Sequence, residues 1–289
     1  MFDRVVVVDW SASSTPKLGR DSIWIAVLDG PDEGSITNLP TRAAAIGFLT
    51  DLIESDPAAS TLIGVDFSLG YPAGTAAALG LIGGEWSAMW ELLADLIDDD
   101  DRNVNNRFRV AAELNQHLTE AAAPFWGCPP TARSDHLGST KPTSTPTIEL
   151  AEFRSVEQVL RSRGARPFSS WQLLGAGAVG SQSLLGIARL HALRGRFRER
   201  FHIWPFTTGL ARPPLDDGAV VLVEVWPSMH PTVGVAGEVR DAAQVRTTAR
   251  WLAEADLSGD LAAWFSPSLP ADVARIAVAE EGWILGVMC

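Results

Sequence analysis

The fold is decided by RVVVVD at residues 4–9 and TLIGVD at residues 61–66. Both runs are short, continuous and apolar, with prominent β-branched residues, and this composition is typical of strands buried within a sheet. Each run ends in an aspartate, Asp9 or Asp66. We therefore predict two buried strands that each deliver a carboxylate at their carboxyl end.

The segment between these strands predicts a hairpin meander followed by a helix. DSIWIAVLDG (21–30) alternates as a second strand does, and GSITNLP (34–40) is typical of a brief third strand. TRAAAIGFLTDLIES (41–55) has Thr41 in an N-cap position and apolar residues on one helical face. With the strand at 61–66, the order of elements is β-β-β-α-β.

This is the core order of the ribonuclease-H-like fold, so we predict an α/β protein with a mixed, ribonuclease-H-like sheet. A crossover helix makes the fourth strand parallel to the first. The carboxyl ends of parallel neighbours share one edge of a sheet. Asp9 and Asp66 are therefore expected to lie near each other.

The middle of the chain is predicted to be a large, mainly helical insertion or cap. We place it at about residues 67–218 of a single domain that spans 1–289, because no clean linker separates it. It contains a loop rich in Pro, Ser and Thr at 123–147, and so long a loop is either functional or mobile. After this stretch, the segment AVVLVEVWPS at 219–228 strongly predicts a further strand.

Carboxylates at the ends of buried strands form the main candidate site. Asp9, Asp66 and Glu224 each occupy such a position. A charge there must be paired or must bind a cation, because burying it alone is expensive. Oxygen-only ligation suits Mg²⁺ or Mn²⁺, with Asp241, at the N-cap of a helix over 241–255, as an auxiliary carboxylate. The alternative is a structural edge whose carboxylates are satisfied by hydrogen bonds.

A second candidate site is the run GAGAVG, which matches G-x-G-x-x-G through Gly175, Gly177 and Gly180. A strand at 169–174 and a following helix would give it the context of a dinucleotide site. However, no acid for a ribose follows at the expected place. We expect an anion-binding turn or, by default, tight packing of a helix on the sheet.

The loop after Asp9 is a third candidate, with Ser11, Ser13, Ser14 and Lys17 between two strands. In the actin-like ATPase folds, a first-hairpin loop of this sort holds nucleotide phosphates, and Lys17 could meet a phosphate as a point charge. The alternative is an ordinary polar hairpin loop.

Composition and charge restrict the class of protein. The 289 residues are 46% hydrophobic, which allows a sizeable core. A net charge of −12 argues against high-affinity binding to long duplexes, whereas a metal-bridged acidic site agrees with it. No apolar run is long enough for a membrane span, and Cys128 and Cys289 have no partners at metal-site spacing. We expect a cytoplasmic protein.

Several segments together resemble the domain-of-unknown-function 429 family: VVVVDWSAS, IGVDFSLGYP, VLVEVWPS and EEGWILG. The resemblance covers about half of the chain, at both ends. It implies a ribonuclease-H-like fold and a predicted nuclease, with Asp9, Asp66 and Glu224 as the acids of the family's conserved segments.

Our leading hypothesis is a phosphodiester hydrolase that depends on Mg²⁺ or Mn²⁺ and acts on nucleic acid or a nucleotide. Asp9, Asp66 and Glu224 would be its ligands, and Trp10 and Trp226, which flank them, would stack a base. The second hypothesis is a nucleotide- or anion-binding protein of actin-like ATPase type. The third is a catalytically silent interaction module. The oligomeric state is left open.

Overall fold

The computed structural model describes residues 1–30, 33–143, 150–175, 177–216 and 218–289. Part of the loop predicted at 123–147 and the second residue of the GAGAVG run lie outside the described residues.

A six-stranded mixed sheet forms the centre of the structure. Its strands are β1 (Arg4–Asp9), β2 (Ile23–Asp29), β3 (Glu33–Leu39), β4 (Thr61–Val65), β5 (Phe201–Ile203) and β6 (Val220–Glu224). The strand order is β3-β2-β1-β4-β6-β5. The pairs β1/β2 and β2/β3 are antiparallel, whereas β1/β4, β4/β6 and β6/β5 are parallel.

Helices cover both faces of this sheet. They are α1 (Arg42–Ser55), α2 (Thr75–Ala78), α3 (Glu85–Leu96), α4 (Arg107–Thr119), α5 (Ser155–Ser162), α6 (Val179–Arg196), α7 (Arg240–Ser258), α8 (Asp260–Trp264) and α9 (Ala271–Ile276). Residues of α1, α3, α4 and α6 pack against one face of the sheet, and residues of α5, α7 and α8 pack against the other. The protein is therefore an α/β protein of three layers.

The predicted order β-β-β-α-β is confirmed, with β4 parallel to β1. Local sequence explains much of it. The runs of β1 and β4 are buried along their lengths. The Thr41 side chain accepts a hydrogen bond from the Ala44 amide, 3.2 Å away, and this contact caps α1 as predicted.

The regular secondary structure in the stretch predicted as an insertion, 67–218, is mainly helical, and the stretch also adds a strand to the sheet. It contains α2 to α6, and its strand β5 lies at the edge beside β6. The strand predicted at 169–174 is wrong, since that segment makes only an isolated bridge between Gln172 and Trp126.

Register determines where the strand-end carboxylates lie. In the parallel pairs, Val8 is opposite Val65, and Val65 is opposite Glu224. Asp9 and Asp66 both lie one residue further along the chain. Because side chains alternate between the two faces of a sheet, the side chain of Glu224 is directed to the opposite face from those of Asp9 and Asp66.

No helix among the described residues combines the length and apolar character needed to cross a membrane.

Candidate functional site

Asp9 and Asp66 lie side by side at the carboxyl ends of β1 and β4. Their carboxyl groups are close enough for one to share a proton with the other, and both side chains are partly buried. The Trp10 amide donates a hydrogen bond to Asp66 Oδ1 at 2.8 Å, which links the chain after β1 to the end of β4. The predicted proximity of these two aspartates is confirmed.

Burial and mutual repulsion make this pair unusually easy to protonate. Burial raises the pKa of Asp9 well above its ordinary value, and the neighbouring charges of Asp66 and Asp241 raise it further. Burial raises the pKa of Asp66 to about 7, against the lowering effect of the Trp10 amide. Two carboxyl groups in contact cannot both ionise freely without a cation, so the pair holds a proton at mildly acidic pH.

Two cavities meet at Asp9. The first, of about 290 Å³, has Asp9 and Asp66 at its polar end and Phe168 and Trp226 among its apolar lining residues; we call it the aromatic cavity. Phe168 is 47% exposed, although it is a large aromatic side chain. The aromatic cavity thus places exposed aromatic surface close to the carboxylate pair.

Glu224 also lines the aromatic cavity, but its charge is already compensated. Arg154, which is fully buried, donates from Nη2 to Glu224 Oε1 at 2.6 Å and from Nη1 to Oε2 at 2.8 Å. The Leu69 amide adds a bond to Oε2 at 3.2 Å. Arg154 also binds Glu157, with 2.9 Å between Nε and Oε1. In this structure Arg154 therefore occupies the carboxylate of Glu224, and the role of Glu224 as a metal ligand stays a prediction.

Within the described residues, no group of three or more His, Cys, Asp and Glu side chains is arranged to hold a metal ion. Three described carboxylates at the strand ends line the cavities. Glu224 is paired with Arg154, whereas Asp9 and Asp66 have no cationic partner among the described residues. Mg²⁺ is commonly bound through only one or two carboxylates and keeps several waters.

The second cavity, of about 510 Å³, is also lined by Asp9. We call it the loop cavity, because the loop between β1 and β2 forms one wall. It brings together most residues of the two phosphate-binding candidates, namely Ser11, Ser13, Ser14, Lys17, Gly175 and Gly177. Two features that lie far apart in sequence therefore share one cavity with Asp9.

Gly180 does not take part in the loop cavity. It lies in the first turn of α6, and a side chain there would meet the backbone carbonyl of Ser170. Gly180 therefore packs tightly on the segment that precedes the helix, and not on the sheet as the default prediction had it. Since the preceding strand is absent from the described segment, the turn lacks the strand–turn–helix context of a dinucleotide site.

Asp241 lines the loop cavity but is not the N-cap of its helix. Helix α7 begins at Arg240 after Val239, and Asp241 lies in the first turn. Its Oδ2 accepts a hydrogen bond from the Asp21 amide at 2.6 Å. The predicted N-cap is wrong, and the Asp241 carboxylate instead holds the loop before β2.

The wall of the loop cavity is held in place by Arg42. Its Nη1 donates to the carbonyl oxygens of Ser11 and Ser13 at 2.9 and 2.8 Å. Arg42 is itself bound by Asp99, which also accepts a bond from Arg189 Nε at 2.8 Å. A buried ionic network therefore holds this loop in place together with hydrogen bonds among the loop's own residues, such as that from the Ser13 amide to Ser11 Oγ.

Arg107, at the start of α4, is a residue that sequence patterns did not single out. It lines the loop cavity with 7% of its surface exposed. Its Nη1 donates to Ser14 Oγ at 2.9 Å, and its Nε donates to Ser181 Oγ at 3.0 Å. The segment NRFR reads as an ordinary helix start, so only its position in space distinguishes Arg107.

The two tryptophans that flank the site, Trp10 and Trp226, differ in their exposure. Trp226 lines the aromatic cavity and is partly buried. Trp10 is 1% exposed and packs on Phe67 with 5.8 Å between ring centroids. The prediction that Trp10 stacks a base is therefore wrong, and Phe168 takes its place as the second aromatic surface at the site.

Comparison with known proteins adds no relative. No family model, no curated protein and no solved structure matches this chain. The resemblance to the domain-of-unknown-function 429 family therefore stays a prediction.

Proposed function

We propose that this protein is a divalent-metal-dependent phosphodiester hydrolase that acts on nucleic acid or a nucleotide. The observation that carries the proposal is the contact between Asp9 and Asp66 at the junction of two cavities. Paired carboxylates at the ends of adjacent parallel strands are suited to hold Mg²⁺ or Mn²⁺. A phosphodiester placed at this junction would have room on both sides.

When bound, the metal supplies positive charge that polarises a phosphoryl oxygen and favours ionisation of a water molecule. Asp9 and Asp66 would hold the cation. Phe168 and Trp226 offer apolar surface to a base and exclude water from one side of the pair. Gln182 lines both cavities, and its side-chain amide donates a hydrogen bond to the Trp10 carbonyl at 2.5 Å.

The strand arrangement supports the fold on which this proposal draws. The order β3-β2-β1-β4-β6, with the first three strands antiparallel and the next two parallel to β1, is the arrangement expected of a ribonuclease-H-like sheet. Strand β5 is an addition at its edge. Membership of the ribonuclease-H-like superfamily is part of the proposal, and fold alone does not determine function.

The test combines metal binding with hydrolysis. Mn²⁺ is titrated calorimetrically into the wild type, Asp9→Asn and Asp66→Asn, with Asp51→Asn, at an exposed position of α1, as the matched control. The same four proteins are assayed on bis-(p-nitrophenyl) phosphate and on short single-stranded DNA and RNA. We expect Mn²⁺ binding and turnover in the wild type and control only.

Retained turnover in Asp9→Asn or Asp66→Asn would contradict the mechanism. Absence of both Mn²⁺ binding and turnover in the folded wild type would contradict the proposal itself.

A second candidate function is nucleotide or anion binding without hydrolysis. The observation that favours it is the convergence of Ser11, Ser13, Lys17, Gly175 and Gly177 on the loop cavity. Binding of a nucleotide with no turnover, and no dependence on Asp66, would favour this function over hydrolysis.

A further inference from the structure

Arg107 is a buried cation without a carboxylate partner. Among the described residues, no Asp or Glu oxygen lies within the 4.0 Å ion-pair distance of its guanidinium. Its hydrogen-bond partners are the neutral oxygens of Ser14, Ser181 and Asn105, the last at 2.7 Å. Arg42 and Arg154 are also buried arginines, but each of them forms an ion pair with a carboxylate.

Such an arrangement costs free energy unless a counter-ion joins it. Removing a charge from water is expensive, and neutral hydrogen bonds compensate only in part. Burial and the nearby positive charge of Arg42 lower the pKa of Arg107 to about 10, although the negative charge of Asp99 acts in the opposite direction. A buried guanidinium at the wall of a cavity, without a carboxylate partner among the described residues, indicates that an anion belongs beside it.

The surroundings of Arg107 supply further donors of the right kind. Ser14 places its hydroxyl beside the guanidinium, and Lys17 lines the same loop cavity. Ser181 and Gln182, in the first turn of the 18-residue helix α6, also line it. The positive end of a helix dipole favours an anion at this position.

The loop cavity also contains the carboxylates of Asp9, Asp21 and Asp241. Lys17 pairs with Asp21 at 3.4 Å. One cavity thus holds a cationic wall at Arg107 and an acidic wall at Asp9. A group that is negative and that also binds metal cations matches both walls.

We propose that the loop cavity binds a phosphate monoester with Arg107 as its charged anchor, so that the substrate is a nucleotide or a nucleic-acid strand with a phosphorylated end. This substrate class rests on the proposed hydrolase function. A terminal phosphate has three free oxygens and close to two negative charges, which suit a guanidinium, a lysine and hydroxyl donors together. Because Arg107 is nearly buried, a chain end reaches it more easily than the interior of a continuous backbone.

The binding test uses inorganic phosphate, adenosine monophosphate and adenosine as probes, with the wild type and three variants. Arg107→Met removes the charge and keeps the aliphatic stem, while Arg107→Lys keeps a charge. Arg109→Met, two residues along the same helix and exposed, is the control. Circular dichroism melting confirms that each variant is folded, and Lys17→Met gives a second probe if Arg107→Met does not fold.

We expect phosphate and adenosine monophosphate to bind the wild type and Arg109→Met, and adenosine to bind weakly. Affinity for both phosphates should fall at least about tenfold in Arg107→Met, the usual effect of losing hydrogen bonds to a charged group. Mn²⁺ should strengthen phosphate binding in the wild type. Equal phosphate affinity in wild type and Arg107→Met, or no phosphate binding by the wild type, would overturn the inference.

A separate readout distinguishes this inference from the proposed hydrolase function. If phosphate binding depends on Arg107 but no substrate is hydrolysed, the anion site stands and the hydrolase proposal fails. If short oligonucleotides are hydrolysed at the same rate with and without a terminal phosphate, and Arg107→Met changes neither rate, the hydrolase proposal stands and the substrate class is wrong.

Discussion

Arg154 holds both carboxylate oxygens of Glu224, with 2.6 Å between Nη2 and Oε1 and 2.8 Å between Nη1 and Oε2. The same guanidinium binds Glu157, and its Nη1 donates to the carbonyl of Glu281 at 2.7 Å. One buried arginine thus joins the end of β6, the start of α5 and the segment after α9. It makes Glu224 part of the scaffold beneath the aspartate pair.

Replacing Arg154 by Met should destabilise the protein strongly, because it leaves Glu157 and Glu224 buried without a cation. Breaking a buried ion pair from one side costs about 3–5 kcal/mol. Urea denaturation measures the change in the free energy of unfolding. The matched control is the triple variant Arg154→Met/Glu157→Gln/Glu224→Gln, which should recover most of the loss. A single variant that loses less than about 1 kcal/mol would contradict the assignment of this cluster as structural.

Asp9→Asn should make the protein more stable at about pH 8 when divalent ions are absent. The unfolded carboxyls have pKa values near 3.9. Burial raises the pKa of Asp9, and it raises the pKa of Asp66 to about 7. Between those pH values the native state binds more protons than the unfolded chain, so the free energy of unfolding falls as pH rises.

The measurement is the free energy of unfolding of wild type and Asp9→Asn, obtained by urea denaturation from about pH 4 to about pH 8, with Asp51→Asn as control. The wild-type curve should fall with pH relative to that of Asp9→Asn, by an amount of the order of a few kcal/mol. Parallel curves would show that Asp9 and Asp66 titrate normally.

Asp99→Asn should have the opposite pH signature. Although burial opposes ionisation, the charges and hydrogen bonds of Arg42 and Arg189 hold the pKa of Asp99 below its ordinary value. This carboxylate therefore stabilises the fold above the unfolded pKa of about 3.9, and its contribution is lost as pH falls through the lower native pKa. We expect a loss of about 3 kcal/mol at neutral pH that shrinks in acid. Asp98→Asn, at an exposed neighbour, should show no such pH-dependent loss in urea denaturation.

Two glycines in α6 should respond oppositely to alanine. A side chain at Gly186 would meet the ring of Phe67 in the core, whereas Gly195 has open space around it. Gly186→Ala should cost about 1–3 kcal/mol through overpacking. Gly195→Ala should be neutral or gain up to about 1 kcal/mol, because alanine is the better helix former. Thermal denaturation of the two variants gives the comparison, and equal effects would contradict the packing of α6 on Phe67.

The parts of the fold that sequence predicts are those that depend on neighbours in the chain. Apolar runs predict β1, β4 and β6 because each strand is buried along its length. Thr41 predicts the start of α1 through a local cap. The same local reasoning fails at 169–174, where an apolar segment makes one bridge instead of a strand.

The candidate site was predicted only in part because its remaining features depend on distant contacts. Asp9 and Asp66 follow from topology alone. Arg154 and Glu224 are 70 residues apart, and no local pattern pairs them. Glu224 lies one residue before the position opposite Asp66. This difference in register cannot be read from the ends of the predicted strands in the sequence. Arg107 is distinguished because no carboxylate among the described residues pairs with it, and only the folded structure reveals this.

The position of β6 in the sheet has a consequence for synthesis on the ribosome. Strand β6 lies between β4 and β5 but is translated after both. The edge of β4 therefore stays unpaired in the growing chain until residues 220–224 emerge, and β5 has no neighbour to join. An open hydrophobic edge is a template for pairing with other chains. Nascent copies of this protein thus pass through a stage in which protection by chaperones matters more than it does for the finished molecule.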